Sequence, residues 1–145
     1  MIQFYALSVL TNFLSGVILS QDSFSEKLGI TAMFNPKVIK SKSFLFIWGI
    51  LTTVTGVFKI LSVVPGNGAI IIGDLLPALV GILAGVALLL MFYQEYKKSK
   101  TDSTLLDDET TETLNLVIIQ NKTIIGIAAL LVSILHFFFP TVLFL

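Results

Sequence analysis

The run from Phe44 to Val64 is 21 residues long and contains a single charged side chain, Lys59. As an α-helix that rises about 1.5 Å per residue, such a run matches the roughly 30 Å hydrocarbon core of a bilayer. Peptide groups in lipid have no water to bond to, and an α-helix forms all of its backbone hydrogen bonds within the segment. The run therefore predicts a transmembrane helix, and the rest of the chain has to fold around it.

Three further apolar runs have the same character, and the predicted spans cover residues 2–20, 44–64, 69–93 and 123–145. The second and third spans are separated only by the turn residues at 65–68, so they should form an antiparallel hairpin. We expect an all-α integral membrane protein, with residues 1–145 forming a single membrane domain. Its predicted architecture is a four-transmembrane-helix bundle.

Charged side chains gather in the two longer connections, residues 21–43 and 94–122. They make up only 12% of the chain, about half of the share found in soluble domains. These connections carry eight of the nine lysines, whereas the turn at 65–68 carries none. The positive-inside rule then predicts that both connections are cytoplasmic and that the N- and C-termini lie outside. Lysine-only basic usage, with many Ile and Phe residues, suggests a bacterial cytoplasmic membrane.

The composition also argues against several classes of function. All nine basic residues are lysine, so the planar guanidinium group that commonly reads nucleic acid is absent, and no nucleic-acid partner is expected. The chain has no Cys and one His, which gives no basis for a metal, a cofactor or a catalytic group. We expect no enzyme activity. The expected partners are the lipid bilayer and either further copies of this chain or a larger membrane-protein complex.

The two halves of the chain contain a weak internal match. The matching segments are Phe13–Leu19 with Ile82–Leu88, Gln21-Asp22 with Gln94-Glu95, and Lys42-Ser43 with Lys122-Thr123. Duplication would give two tandem helical hairpins related by a pseudo-two-fold axis along the membrane normal. Apolar segments also resemble one another through composition alone, so both explanations remain open at this point.

Small residues recur at helical spacing in every predicted span. Helices in lipid associate through close packing, so such residues mark helix contact faces. The helix-packing candidates are Gly16, Gly49, Gly56, Gly81, Gly85, Gly126 and Ser133. The faces that they form would serve either intrachain packing or the lining of a polar pathway or oligomer interface.

Four polar residues within the spans are the candidates for a pathway or polar core: Asn12, Lys59, Asp74 and His136. Each costs several kcal/mol in hydrocarbon unless it is paired or hydrated. Lys59 and Asp74 lie at similar distances from the turn, so they could form an ion pair. Alternatively, Lys59 extends to the interface and Asp74 caps a helix that starts beside it. His136 is either a proton relay or a hydrogen-bonded packing residue.

These features favour a small polytopic membrane protein that works as a transporter or channel subunit in an oligomer. Four helices alone seldom enclose a hydrated pore, so transport would require oligomerisation. The alternative is an accessory or scaffolding subunit of a larger membrane complex, with no catalytic activity of its own.

Overall fold

Helices account for 93% of the residues that the structure describes, and no β-strand occurs among them. The structure is a computed structural model, and it describes residues 2–21, 29, 35–61, 69–99 and 108–138. The elements are α1 (Ile2–Leu19), α2 (Pro36–Ile39), α3 (Lys42–Leu61), α4 (Ala69–Ser99), α5 (Asp108–Leu114), a π-helical turn (Asn115–Ile119) and α6 (Lys122–Phe138). The all-α prediction is confirmed. The predicted turn at 65–68 and the ends of the second and fourth predicted spans lie outside the described residues.

Two of these helices are long and apolar enough to cross a membrane, over Lys42–Leu61 and Leu75–Ser99. A third candidate span arises if Glu109–Ile119 and Lys122–Phe138, which are bent by 50° at their junction, are counted as one unit. The apolar part of α1, Tyr5–Leu19, is shorter. The described residues thus contain two or three helices that could span a membrane, which is consistent with a membrane location.

Local side-chain hydrogen bonds mark where two of the helices begin. The Asn35 side-chain oxygen accepts a hydrogen bond from the Lys37 amide at 3.0 Å, and Pro36 occupies the first position of α2. Ser41 stands directly before α3, and its hydroxyl accepts from the Phe44 amide at 3.3 Å. Such caps satisfy amides that have no acceptor within the helix, and proline at the first position loses no helical hydrogen bond.

Helix α4 is longer at its C-terminal end than the sequence predicted, and it also begins earlier than the capping argument assumed. It begins at Ala69, so Asp74 lies in its second turn and the prediction of a helix cap at Asp74 is wrong. Pro77 sits inside the helix, where it deprives one preceding carbonyl of its amide donor. The helix also passes the predicted span end at Tyr93 and continues to Ser99, because residues 94–99 favour helix and the lysines of its last turn suit the negative end of the helix dipole.

The connection predicted over residues 94–122 contains ordered helix before α6. Its π-helical turn is tied to α4 by a hydrogen bond of 2.6 Å from the Gln94 side-chain amide to the Asn115 side-chain oxygen. At the 50° bend, the Asn121 carbonyl accepts from the Ile125 amide at 3.0 Å and starts α6. The entry into the last predicted span is therefore a bent helix.

The helices pack as two antiparallel pairs, α3 with α4 and α1 with α6, and further contacts join α1 to α3 and α4, and α4 to α6. Tyr5 near the start of α1 contacts His136 near the end of α6, whereas Gly16 near the end of α1 faces Gly126. This arrangement brings the start of α1 and the ends of α3 and α6 to one end of the molecule. The start of α3 and the end of α4, which carry several lysines, lie at the other.

Apolar side chains occur both inside this assembly and on its outer faces. A buried apolar cluster joins α1, α3, α4 and α6 and includes Leu19, Leu45, Ala84, Leu88 and Ala129. Large apolar side chains also cover the outer faces, among them Ile47, Val54, Phe58, Leu79, Leu83, Leu131 and Phe137. An outer surface this apolar suits contact with lipid and not with water.

Candidate polar core

Lys59 and His136 meet at the end of α3 and α6. Their nitrogens, Nζ and Nε2, are 2.5 Å apart, and the two residues are only 5% and 1% exposed. The alternative prediction, in which Lys59 extends to the aqueous interface, does not fit a side chain that is buried in this way. A hydrogen bond between two nitrogens needs one of them to donate its hydrogen and the other to accept it.

Tyr5 of α1 holds His136 from the other side. Its hydroxyl donates to the His136 carbonyl at 2.5 Å and lies 3.2 Å from the Phe137 carbonyl, and its ring lies 4.8 Å from the imidazole ring. Residue 140 is a proline, which has no amide hydrogen to offer the His136 carbonyl four residues before it. The phenol supplies a donor to this carbonyl.

Asn12 lies between α1 and α4. It is 2% exposed, and its side-chain amide donates to the Pro77 carbonyl at 3.0 Å. Its side-chain oxygen occupies the space where a side chain on Gly81 would start, 2.8 Å from an ideal Cβ position. A glycine at position 81 is thus what allows the carboxamide to lie against the α4 backbone.

A second polar bridge joins α1 to α3. The hydroxyls of Ser15 and Thr52 are 2.9 Å apart, and both residues are fully buried. Thr52 also donates to the Trp48 carbonyl at 2.8 Å, so Ser15 can donate in turn to Thr52. Such hydroxyl chains satisfy polar groups inside apolar surroundings.

Backbones approach closely where the glycines lie. An ideal Cβ on Gly16 would be 2.8 Å from the Gly126 carbonyl oxygen, and one on Gly85 would be 2.9 Å from the Gly49 carbonyl oxygen. An ideal Cβ on Gly56 would likewise be 2.8 Å from the Ala78 carbonyl oxygen. With Gly81, all six predicted helix-packing glycines therefore lie at contacts between helices. Ser133, the seventh candidate, is buried.

Asp74 belongs to α4, but its side chain lies outside the described residues, so its predicted pairing with Lys59 stays a prediction. The structure brings Lys59 and His136 together, and places Asn12 along α1 between that pair and the apolar cluster. Within the part of the chain that the structure describes, no group of three or more metal-ligating side chains occurs.

Tyr5 was not among the sequence candidates for the polar core, and the hydrogen bond between Ser15 and Thr52 was not predicted. A sequence signal for Tyr5 existed only indirectly, in the proline at position 140, which has no amide hydrogen to donate. Which residue would fill that role depends on how α1 packs against α6. The sequence alone does not give that register.

A family model for a domain of unknown function matches residues 1–136, nearly the whole chain. The chain belongs to this family. No curated protein and no solved structure matches the chain significantly.

Proposed function

We propose that this family member is a four-span membrane protein that works as a transporter or channel subunit within an oligomer. In this proposal α1, α3, α4 and the bent α5–α6 unit each cross the bilayer of a bacterial cytoplasmic membrane. The lysine-bearing ends of α3 and α4 face the cytoplasm and the termini face outward. The polar core formed by Asn12, Lys59 and His136, with Asp74 on α4, contributes to the pathway.

The observation that carries the proposal is the buried Lys59–His136 contact. Titratable groups inside a membrane domain are costly to bury, and they commonly mark ion or proton pathways. A protein that only supports other subunits needs helix contacts, which the glycine faces supply without any charged group. The contact therefore favours transport over the scaffolding alternative.

Paired contacts support the proposal of two tandem hairpins. Gly16 faces Gly126 and Leu130, with an ideal Cβ 2.8 Å from both the Gly126 oxygen and the Leu130 amide. Gly85 faces Gly49 and Thr53 in the same manner, at 2.9 and 2.7 Å. Leu130 and Thr53 each follow the facing glycine by four residues. The α1–α6 contact thus repeats the α4–α3 contact at the level of single residues.

The same correspondence relates the members of the polar core to one another. Lys59 and His136 each follow their glycine, Gly49 and Gly126, by ten residues, and they contact each other. Asn12 precedes Gly16 by four residues, as Gly81 precedes Gly85, and Asn12 lies against Gly81. Corresponding positions meet where a pseudo-two-fold axis passes between them. The polar core would then lie on that axis, where a duplicated transporter places its pathway.

Flux through reconstituted protein tests this function. Liposomes containing the purified chain are assayed with a panel of proton, alkali-cation and halide gradients, beside protein-free liposomes. We expect flux of at least one ion, and a decrease of about tenfold or more for Asn12→Leu and Lys59→Met. Lys97→Met is the matched control, since it removes the same charge from an exposed position on α4, and it should leave flux unchanged.

Two results would contradict the transport proposal. One is flux equal to that of empty liposomes for every ion tested. The other is flux that Lys97→Met changes as much as Lys59→Met, which would mean that the polar core has no particular part in it. Recovery of a stoichiometric membrane partner in mild detergent, combined with no flux, would favour the scaffolding alternative.

A further inference from the structure

A cavity of about 270 Å³ lies at the lysine-bearing end of the molecule, where α1, α2 and α3 meet. Its volume is just below the range of about 300–1,000 Å³ in which whole small-molecule ligands usually bind. It therefore suits one part of a larger ligand, such as a stretch of hydrocarbon chain. Most of its lining is apolar: Leu14 and Ile18 come from α1, Val38 and Ile39 from α2, and Phe44 and Trp48 from α3.

The α3 side of the cavity is aromatic and contains a hydrogen-bond donor. The rings of Phe44 and Trp48 are stacked, with centroids 5.7 Å apart and an angle of 1° between their planes. The Trp48 indole nitrogen is buried and has no acceptor among the residues that the structure describes. Buried polar groups without a partner are uncommon, and tryptophan usually finds an acceptor when it is buried. An acceptor bound in the cavity, such as the ester carbonyl of a phospholipid, would satisfy this donor.

Two exposed lysines flank the residues of α2 that line the cavity. Lys37 directly precedes Val38, and Lys40 directly follows Ile39. Residues three apart lie on the same side of a helical turn, so the two lysines are neighbours. The Ser41 amide donates to the Val38 carbonyl at 3.1 Å, which places Lys40 in an ordered turn between α2 and α3. The rim of the cavity is therefore positively charged.

Little acidic charge offsets the charge of this rim. Residues 27–73 contain no acidic side chain. Lys42, at the start of α3, interacts electrostatically with Glu95 of α4 and so has an acidic neighbour. Lys37 and Lys40, in contrast, form no ion pair with any residue that the structure describes. These two lysines can bind a negatively charged group of a ligand.

We propose that this cavity binds one anionic phospholipid from the leaflet at the lysine-bearing end. A stretch of acyl chain lies in the cavity, an ester carbonyl accepts from the Trp48 indole, and Lys37 and Lys40 bind the headgroup phosphate. Zwitterionic headgroups carry a compensating positive group, so the lysines favour an anionic lipid. This lipid site goes beyond the transport function, and it requires only that this end of the molecule lies at a bilayer surface.

Trp48 is the single tryptophan of the chain, so its fluorescence reports on this cavity. The full chain is reconstituted in phosphatidylcholine bilayers with increasing, matched amounts of phosphatidylglycerol or phosphatidylcholine that is brominated on one acyl chain. Bromine quenches tryptophan at short range. We expect half-maximal quenching at an about tenfold lower mole fraction of the brominated phosphatidylglycerol. High salt should reduce this preference, because it screens exposed lysines.

Three variants distinguish this site from a general attraction of anionic lipid. Lys37→Gln combined with Lys40→Gln should remove the preference for phosphatidylglycerol. Lys97→Gln combined with Lys98→Gln is the matched control, since it removes two exposed charges at the same end but on α4, and it should keep the preference. Val38→Phe retains every charge and enlarges a cavity-lining residue that is 53% exposed, so it should weaken quenching by phosphatidylglycerol about tenfold.

The proposal is overturned if both brominated lipids quench the natural chain equally, if the Lys37 and Lys40 variant keeps the preference, or if the Lys97 and Lys98 variant loses it equally. Quenching by neither lipid would mean that another occupant, such as a second copy of this chain, covers the cavity, and it would overturn the proposal too.

Native mass spectrometry of the natural chain provides a readout that needs no variant. Protein released from bilayers of equal phosphatidylglycerol and phosphatidylcholine content should retain the anionic lipid preferentially, and equal retention would contradict the lipid site. A lipid preference without ion flux would retain the lipid site and contradict transport. Ion flux without a lipid preference would do the opposite.

Discussion

Asn12 shows what a single buried carboxamide contributes to this protein. Its hydrogen bond to the Pro77 carbonyl joins α1 to α4, and the glycine at position 81 leaves room for its oxygen. Interhelical hydrogen bonds in membranes are modest, so we expect Asn12→Ala to lower the free energy of unfolding by about 1 kcal/mol. Leu10→Ala, on the exposed face of the same helix, should change it by less than about 0.5 kcal/mol. Denaturant titration of the protein in mixed micelles measures both, and equal losses would argue against a particular role for the hydrogen bond.

At the same scale, the sequence could predict which residues are unusual but not which ones meet. Lys59 and His136 were recognisable because charge inside an apolar run is costly. Their contact depends on the register of α3 against α6, two helices far apart in the chain, and periodicity does not specify that register. The capping role predicted for Asp74 was wrong because apolar residues before it, from Ala69, extended the helix past an otherwise good cap.

The helices of this protein pack closely at glycines, and a side chain at these positions would clash with the backbone of the facing helix. A methyl group on Gly16 would meet the Gly126 oxygen and the Leu130 amide, and one on Gly85 would meet the Gly49 oxygen and the Thr53 amide. We expect Gly16→Ala and Gly85→Ala each to lower stability by roughly 1–3 kcal/mol, and by similar amounts if the hairpins are repeats. Thermal unfolding in detergent, followed by circular dichroism, measures the loss. Ala6→Val enlarges an exposed position of α1 and serves as the control; a loss as large as that of Gly16→Ala would contradict the packing argument.

Element boundaries show the limits of hydropathy more clearly than element types do. Apolar runs predicted that helices would form, because a chain in lipid has no other partner for its peptide groups. They did not predict that α4 would continue to Ser99 or that a π-helical turn would join α5 to α6. Residues 94–99 and α5 are polar, and the Gln94–Asn115 hydrogen bond ties α4 to the π-helical turn. Hydropathy predicts whether a segment prefers lipid or water, and it gives no information about the contacts that the segment makes with other parts of the chain.

At the scale of the whole molecule, the internal match in the sequence bears on where the polar core lies. If the two hairpins are repeats, equivalent residues meet only on the axis between them, so the polar residues there are free to differ between the halves. Lysine then occupies one half where histidine occupies the other, and asparagine occurs where the other half has glycine. Such pairs allow a duplicated chain to build one asymmetric site that two identical hairpins could not form.

The orientation of this molecule in the membrane can be tested with single cysteines, since the natural chain has none. Lys40→Cys and Lys98→Cys lie at the lysine-bearing end, and Asn67→Cys lies in the predicted turn. A membrane-impermeant maleimide should label positions 40 and 98 only in inverted vesicles and position 67 only in intact cells, because lysine-rich segments stay on the cytoplasmic side. Val54→Cys, on the apolar outer face in the middle of α3, should resist labelling from both sides. Labelling of positions 67 and 98 from the same side would mean that α4 does not cross the bilayer, and a pathway built on four spans would no longer be possible.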